Sequence, residues 1–301
     1  MAKRSNKIFH KLAKDLASIT GGAPNIIRCP ICLACFEENA LCANDTSSDL
    51  PELSIEHIIP YRLGGRLETL TCKKCNNDQG SGFDAHLINM IEALDFFEGI
   101  GRPMKASMNI ADFKSSALID WHPINTRMIH LMDKATDPRS VEGIKQAFES
   151  GVEQIDFSMR LNYNRDRAHM ALLRSAYLMI FNCYGYRYAM STSVVPIREG
   201  LLDERWGNLP KLVSSAEIPQ IASNQLPNFV TPGFEVKGKK PPIHLVLLTI
   251  RRNKPRSFFV IMPTMEEESA HLYEMIDTVI GSLNGAQFHF MPPGKIFVQH
   301  S

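Results

Sequence analysis

Glu56-His57-Ile58-Ile59-Pro60, followed by Gly64-Gly65, lies between two cysteine pairs, Cys29-Pro30-Ile31-Cys32 and Cys72-Lys73-Lys74-Cys75. Asn76-Asn77-Asp78-Gln79-Gly80-Ser81 follows the second pair directly. Two C-x2-C pairs can each donate two thiolates, and four thiolates complete the tetrahedral shell of a structural zinc. A single pair would fit a redox site equally well. Two pairs bracketing a loop-rich segment point to metal, with four free core cysteines as the plain alternative. Cys32-Leu33-Ala34-Cys35 is also C-x2-C. The Cys-Pro-x-Cys turn favours pairing Cys29 with Cys32, and Cys35 keeps the alternative open. Residues 33–71 are too many for a compact zinc ribbon, so something is inserted between the knuckles. Cys42 and Cys183 read as small buried or partly buried thiols.

The run E-H-I-I-P, then G-G, then C-K-K-C-N-N-x-x-G-S resembles the HNH endonuclease superfamily in its zinc-stapled form. The resemblance spans about residues 26–95. It implies a small ββα-metal, treble-clef-like fold: two short strands and a helix around one catalytic ion. The residue types suit that chemistry on their own terms. A histidine titrates near neutral pH and can take a proton from water. A magnesium-type ion prefers oxygen ligands and keeps several waters, so one carboxylate and one amide carbonyl suffice. Such an ion polarises a phosphate and neutralises a leaving alkoxide.

By the same resemblance, Glu56 is a ligand of a catalytic Mg or Mn ion, His57 is the general base, and Asn76 is the second protein ligand. His86 is the alternative last ligand. Glu56 and His57 are adjacent on a strand, so serving one site requires a bend or irregularity there. The family's middle asparagine, which orients the histidine, has no counterpart in Leu67-Glu68-Thr69-Leu70-Thr71. Thr69 is the nearest polar residue, and a backbone carbonyl is the alternative. Asn76 and Asn77 also suit a turn, and Asp84 suits a helix cap better than a ligand.

Outward from this centre, Ser5 is placed to cap an N-terminal amphipathic helix over residues 1–25, with Ile8, Phe9, Leu12, Leu16 and Ile19 on one face and Gly21-Gly22 at its end. Residues 37–52 form a polar excursion, and Leu53–Ile59 a short strand. A second helix starts at Asp84 and stops at Gly99. The organisation expected is α+β: the stapled domain at 26–100, a helical region at 101–192, and a mixed α/β domain at 193–301. Asp166–Ala189 is apolar nearly all round, which marks a buried core helix. Ile243–Ile250 and Ser257–Met262 read as a hairpin with a basic tip, Gln287–Phe290 and Lys295–Val298 as further strands, and Glu266–Leu283 as one helix.

The 301 residues are 44% hydrophobic, ample for packed cores. With 33 basic and 32 acidic residues the net charge is +1, which excludes a generally basic nucleic-acid coat and leaves room for a local groove. The candidates for such a groove are Lys237, Lys239, Lys240, Arg251, Arg252, Lys254 and Arg256; a solvated basic turn is the plainer reading. Arg160, Arg165, Arg167 and Arg174 form a weaker basic stretch, and His169 reads as packing. Seven cysteines, six of them before residue 76, fit a metal site in a reducing compartment such as the cytoplasm. No run of 18 apolar residues suggests a membrane span. The function expected is metal-dependent hydrolysis of DNA, with RNA less favoured. The alternatives are a zinc-stapled module that binds nucleic acid or protein without cutting, and a nuclease switched on through its C-terminal region by a ligand, a protein partner or self-association. The segment Leu172–Ser191 resembles helical extensions that follow zinc-type HNH domains in bacterial proteins, which implies an effector of defence against foreign DNA.

Overall fold

Helix α1 (Ala2–Thr20) buries Phe9, Leu12, Ala13 and Leu16 along one stripe, because these apolar positions recur every three to four residues. Ser5 lies inside the helix, and Gly21 ends it with a left-handed φ of 69°. The computed structural model describes residues 2–41, 52–110, 112–121, 127–131, 138–152, 156–203, 206–216, 228–231, 234–236, 239–277, 287–291 and 295–299. The chain is α+β. It divides into two units, one of residues 1–87 with 165–301, the other of residues 88–164.

In the first unit, β1 (Ile26–Arg28) and β2 (Cys35–Glu37) pair antiparallel, and the first cysteine knuckle is the turn between them. Cys42 and most of the 37–52 excursion lie outside the described residues. Strands β3 (Leu53–His57) and β4 (Glu68–Cys72) then pair in unbroken register, from Leu53 opposite Cys72 to His57 opposite Glu68. Beyond His57 one ladder bond remains, the Ile58 N–H to the Leu67 carbonyl at 2.9 Å. The connecting loop needs its glycines. Gly64 has a left-handed φ of 88°, and a Cβ on Gly65 would lie 1.7 Å from the Ile59 carbonyl oxygen.

Helix α2 (Lys73–Gln79) starts on the second knuckle. The glycines that follow do not break it. The chain passes through a π-helical turn at Gly80–Asp84 straight into α3 (Ala85–Phe97). The expected helix start at Asp84 is therefore corrected: Gly80 holds an ordinary helical φ of −60°, and Asp84 spends its carboxylate on Arg174 instead of capping.

The helical expectation for residues 101–192 holds for α-helices at Pro138–Glu149, Arg165–Tyr184 and Tyr186–Ala189 and is overturned in the second unit by four strands among the described residues. Strands β5 (Met104–Ile110), β6 (Phe113–Trp121) and β7 (Arg127–Leu131), helix α4 (Pro138–Glu149) and strand β8 (Asp156–Ser158) follow in order. They form a sheet ordered β7-β6-β5-β8. Ala106, Met108 and Ile110 are buried and alternate with less buried neighbours, the two-residue period of a half-covered strand. Met108, Ile110 and Ala117 share a core with Ile144 and Ala147 of α4.

Back in the first unit come α5 (Arg165–Tyr184), α6 (Tyr186–Ala189) and α7 (Val195–Leu202). Helix α5 is buried almost without interruption from Ala168 to Phe181, Arg174 included. It packs on a sheet built from β9 (Val213–Ala216), β10 (Phe229–Val230), β11 (Phe234–Val236), β12 (Lys239–Arg251) and β13 (Pro255–Pro263). The expected basic-tipped hairpin is β12–β13, in register from Ile243–Pro263 to Arg251–Pro255. Within the helix expected over Glu266–Leu283, Glu267–Tyr273 is a 3-10 helix and residues 276–277 are α-helical, with residues 278–286 outside the described set. Strands β14 (Gln287–Met291) and β15 (Lys295–Gln299) pair with each other. Among the described residues, no helix is long and apolar enough to cross a membrane.

The close approach at Gly65 gives a direct test. Gly65→Ala should lower stability by roughly 3 kcal/mol, the upper range for forced overpacking. Gly80→Ala, with no atom within 4 Å of the new methyl, should gain about 0.5–1 kcal/mol from the helical preference of alanine. Urea unfolding curves measure both, and a Gly65→Ala curve that overlays wild type would refute the close packing of this loop.

Candidate functional site

The four knuckle sulfurs of Cys29, Cys32, Cys72 and Cys75 all lie within 4.8 Å of one another. Cys32 Sγ and Cys72 Sγ are 3.7 Å apart. Four thiolates bound at roughly 2.3 Å to one tetrahedral zinc sit about 3.8 Å apart, so the donor set and its spacing fit that ion. Local backbone builds both knuckles. In the first, the Leu33 N–H reaches the Cys29 carbonyl and the Cys29 N–H reaches the Ala34 carbonyl, both at 2.9 Å, with Leu33 in a left-handed φ of 59°. In the second, the Cys75 N–H donates to Cys72 Sγ at 3.3 Å. Contacts with Cys29 hold Cys32 down to about 6 and Cys72 down to about 2, while hydrogen bonding to Cys32, Cys72 and Cys75 and then burial push Cys29 upward. Cys35 is exposed on β2, across from Arg28, and the sulfurs that converge are those of Cys29, Cys32, Cys72 and Cys75.

The β3–β4 hairpin sorts the candidate catalytic residues onto two faces, because neighbouring strand residues point opposite ways. The register carries no bulge between Glu56 and His57. His57 is 31% exposed, with Nε2 3.4 Å from Glu68 Oε1. Arg4 Nε lies 2.8 Å from the other Glu68 oxygen. The Tyr61 ring stands edge-on to His57 at 5.3 Å, and the Arg66 guanidinium lies over Tyr61 at 4.8 Å. A carboxylate beside one ring nitrogen fixes the tautomer and leaves the other nitrogen to act as a base. Thr69, the residue expected nearest that orienting role, is buried and pairs across the ladder with Glu56.

Glu56 is on the inner face and only 3% exposed. Asn76 shares this face: its amide donates to Ser54 Oγ at 2.9 Å and to the Ile55 carbonyl at 3.2 Å. The third member is Arg174, which the sequence reading placed in a basic stretch and which is fully buried. One of its nitrogens lies 2.5 Å from Glu56 Oε1, and another donates to both Asp84 oxygens at 3.0 Å. Burial pushes the Glu56 carboxyl up to about 7 and raises Asp84, and Arg174 opposes both shifts.

A divalent ion of the kind the resemblance implies would need the Glu56 carboxylate. Glu56 Oε2 is buried without a hydrogen-bond partner among the described residues, so a donor atom remains. Its charge, however, already faces a guanidinium. Apart from the four cysteines, no group of three His, Cys, Asp or Glu donors converges among the described residues. His86 is half-exposed on α3, with its pKa lowered by burial and by Arg167, and it joins no such group. A site of one carboxylate and one amide carbonyl needs no such group; it is the Arg174 guanidinium, against Glu56 and both Asp84 oxygens, that makes the residues at Glu56 in this arrangement a poor fit for a divalent cation.

A cleft of about 340 Å³ opens beside the hairpin, lined by Ile58, Gly65, Arg66, Leu67, Met179 and Arg251 among others. It joins the loop after His57 to the basic tip of β12–β13. A Cβ on Gly64 would come within 2.6 Å of the Arg251 carbonyl oxygen. Arg251 is exposed, and Arg252, Lys254 and Arg256 are half-buried. Lys237 lies outside the described residues, and only the backbone of Lys239 and Lys240 is described. Sequence reading missed Arg174 and Glu68. The first had a signal, a lone charge inside an otherwise apolar helix. The second had none, since cross-strand register is set by the loop between the strands.

Residues 40–92 match the family described as HNH endonuclease. The matched segment contains Glu56, His57, the second knuckle, Asn76 and His86, and begins after the first knuckle. No curated protein and no solved structure matches the chain.

The staple can be tested by metal content. The purified chain should carry one zinc, Cys29→Ser and Cys72→Ser should lose it, and Cys35→Ser should keep it. A structural zinc of this type contributes roughly 10 kcal/mol or more to folding, so chelation should unfold the hairpin. Zinc content unchanged in Cys72→Ser would exclude the four-sulfur site.

Proposed function

We propose that the HNH-type domain carried by residues 40–92 hydrolyses phosphodiester bonds in DNA, with His57 as the general base. The observation that carries this reading is an accessible His57 at the end of the stapled hairpin, one ring nitrogen facing Glu68. The free nitrogen takes a proton from a water that attacks phosphorus. The new P–O bond forms as the bond to the departing sugar oxygen breaks, and that oxygen is protonated to the alcohol. The resemblance to the family implies 5′-phosphate and 3′-hydroxyl ends. Glu68 holds the ring and compensates the imidazolium. Arg66 and Arg251, at the cleft beyond Ile58, are suited to hold the neighbouring backbone phosphates. The four-cysteine zinc would shape the domain and take no part in the reaction. The resemblance implies a Mg or Mn ion on Glu56 with Asn76 or His86, and the Arg174 guanidinium on Glu56 stands in the way of such an ion. A role in bacterial defence rests on resemblance alone.

The second reading is a domain that grips nucleic acid without cutting it. The Arg174 guanidinium on Glu56 favours it, because it occupies the acidic residue on which metal-dependent cleavage would turn. Relaxation of supercoiled plasmid, with matched RNA as the alternative substrate, separates the two. Removing the base should slow cleavage by about 10²–10⁴-fold in His57→Ala, with a smaller loss, roughly tenfold, in Glu68→Gln. Equal cutting by His57→Ala and wild type would sink the catalytic assignment. Binding with no cutting, with or without added divalent ions, would establish the binder.

A further inference from the structure

We infer that Arg174 is a built-in counter-cation standing where a divalent ion would bind Glu56, so that the Glu56–Asp84 site takes up no metal in the folded chain. This goes beyond the nuclease reading and holds whether or not the domain cuts.

Position argues for permanence. Arg174 sits in the middle of α5, between Met170 and Tyr177, both fully buried. The helix is pinned there: the Tyr177 hydroxyl donates to the Pro30 carbonyl at 2.5 Å, and Met179 and Ile180 further along are in the core. The guanidinium has no exposed surface, so it cannot swing out to solvent while the helix stays in place.

Chemistry argues for substitution. An ion in a ββα-metal fold links the hairpin to the following helix. Arg174 makes that link itself, from Glu56 on β3 to Asp84 at the end of the π-helical turn. A planar guanidinium offers several donors in a fixed fork and keeps its charge across the pH range. It therefore cannot vacate the site by losing a proton, as a lysine can. Asp84 is engaged through both oxygens. A metal entering at Glu56 would meet a fixed positive charge within contact distance of a buried carboxylate. The π-helical turn is the local deviation at this point of the helix, and Asp84 closes it.

The test uses the full-length, zinc-replete chain titrated with Mn²⁺, with unbound Mn²⁺ read by electron paramagnetic resonance. Wild type and Glu56→Gln should take up the same amount of Mn²⁺. Arg174→Met should take up one further ion per chain, at least tenfold tighter than any wild-type uptake, and Arg174→Met with Glu56→Gln should lose it. Mn²⁺ uptake in wild type that Glu56→Gln removes would overturn the inference. So would an Arg174→Met chain that keeps its zinc and its circular dichroism yet binds no additional Mn²⁺. If Arg174→Met does not fold, the comparison of wild type with Glu56→Gln decides alone. Cleavage is not read in this experiment. An inactive protein would count against the nuclease proposal without touching this one, and Glu56-dependent Mn²⁺ binding would do the reverse.

Discussion

A charge with no exposed surface must be paired, and Arg174 is paired with two carboxylates from different elements. Isolating a guanidinium in an apolar core is far more costly than any single contact can offset. The fold has to deliver Glu56 and Asp84 to it together. Breaking such a buried pair by removing one partner typically costs about 3–5 kcal/mol. The ion pairs therefore tie the position of β3, the helical turn before α3 and helix α5 to one another. The tyrosines of α5 and α6 add to the tie. Tyr177 reaches the Pro30 carbonyl, and Tyr186 bonds both the N–H and the carbonyl of Arg28. These bonds lead directly into the first cysteine knuckle. The stapled domain is thus completed by residues nearly a hundred positions beyond it.

The strict alternation of the β3–β4 hairpin divides labour between its two faces. Ser54, Glu56 and Asn76 lie inward with Arg174 and serve the architecture. His57 and Glu68 lie on the opposite face, where His57 is partly exposed and stands against the ring of Tyr61. A bend would have merged the faces into one site. The unbroken register keeps Glu56 and His57 on separate faces.

Much of this was legible in the sequence, where local patterns decide the outcome. The two C-x2-C pairs specify the staple because the spacing is itself the chelate geometry. The all-round apolar run of α5 announces burial, and the hairpin with its basic tip follows from two β-rich runs around a polar turn. Other features depend on distant contacts. The strands at 104–131 were read within a helical region although Ala106, Met108 and Ile110 alternate with polar neighbours; the period was there, in a stretch too short to dominate its surroundings. Gly80-Ser81-Gly82 signals a break, yet a π-helical turn absorbs it, since glycine only permits other conformations and Asp84 is held by Arg174. The pairing of His57 with Glu68 is a register fact. It depends on how the loop through Gly64 and Gly65 packs on Ile59 and Arg251.

The inward arginine also constrains how phosphate could be handled. Transition-state charge in phosphodiester hydrolysis builds on phosphoryl oxygens and on the leaving oxygen, and it must be met by cations that can reach them. Arg174 cannot, because it is sealed beneath the hairpin. Among the described residues, cations near His57 include Arg4, on Glu68, and Arg66, stacked on Tyr61. Arg251 follows across the cleft. Arg4 is committed to the carboxylate beside His57. Arg66 is different: its guanidinium lies over an exposed ring next to the base and also lines the cleft that leads to the basic hairpin. If the domain cuts with Glu56 neutralised from within, the positive charge at the scissile phosphate has to come from this outer surface, and Arg66 is the residue that the geometry places between the base and the groove.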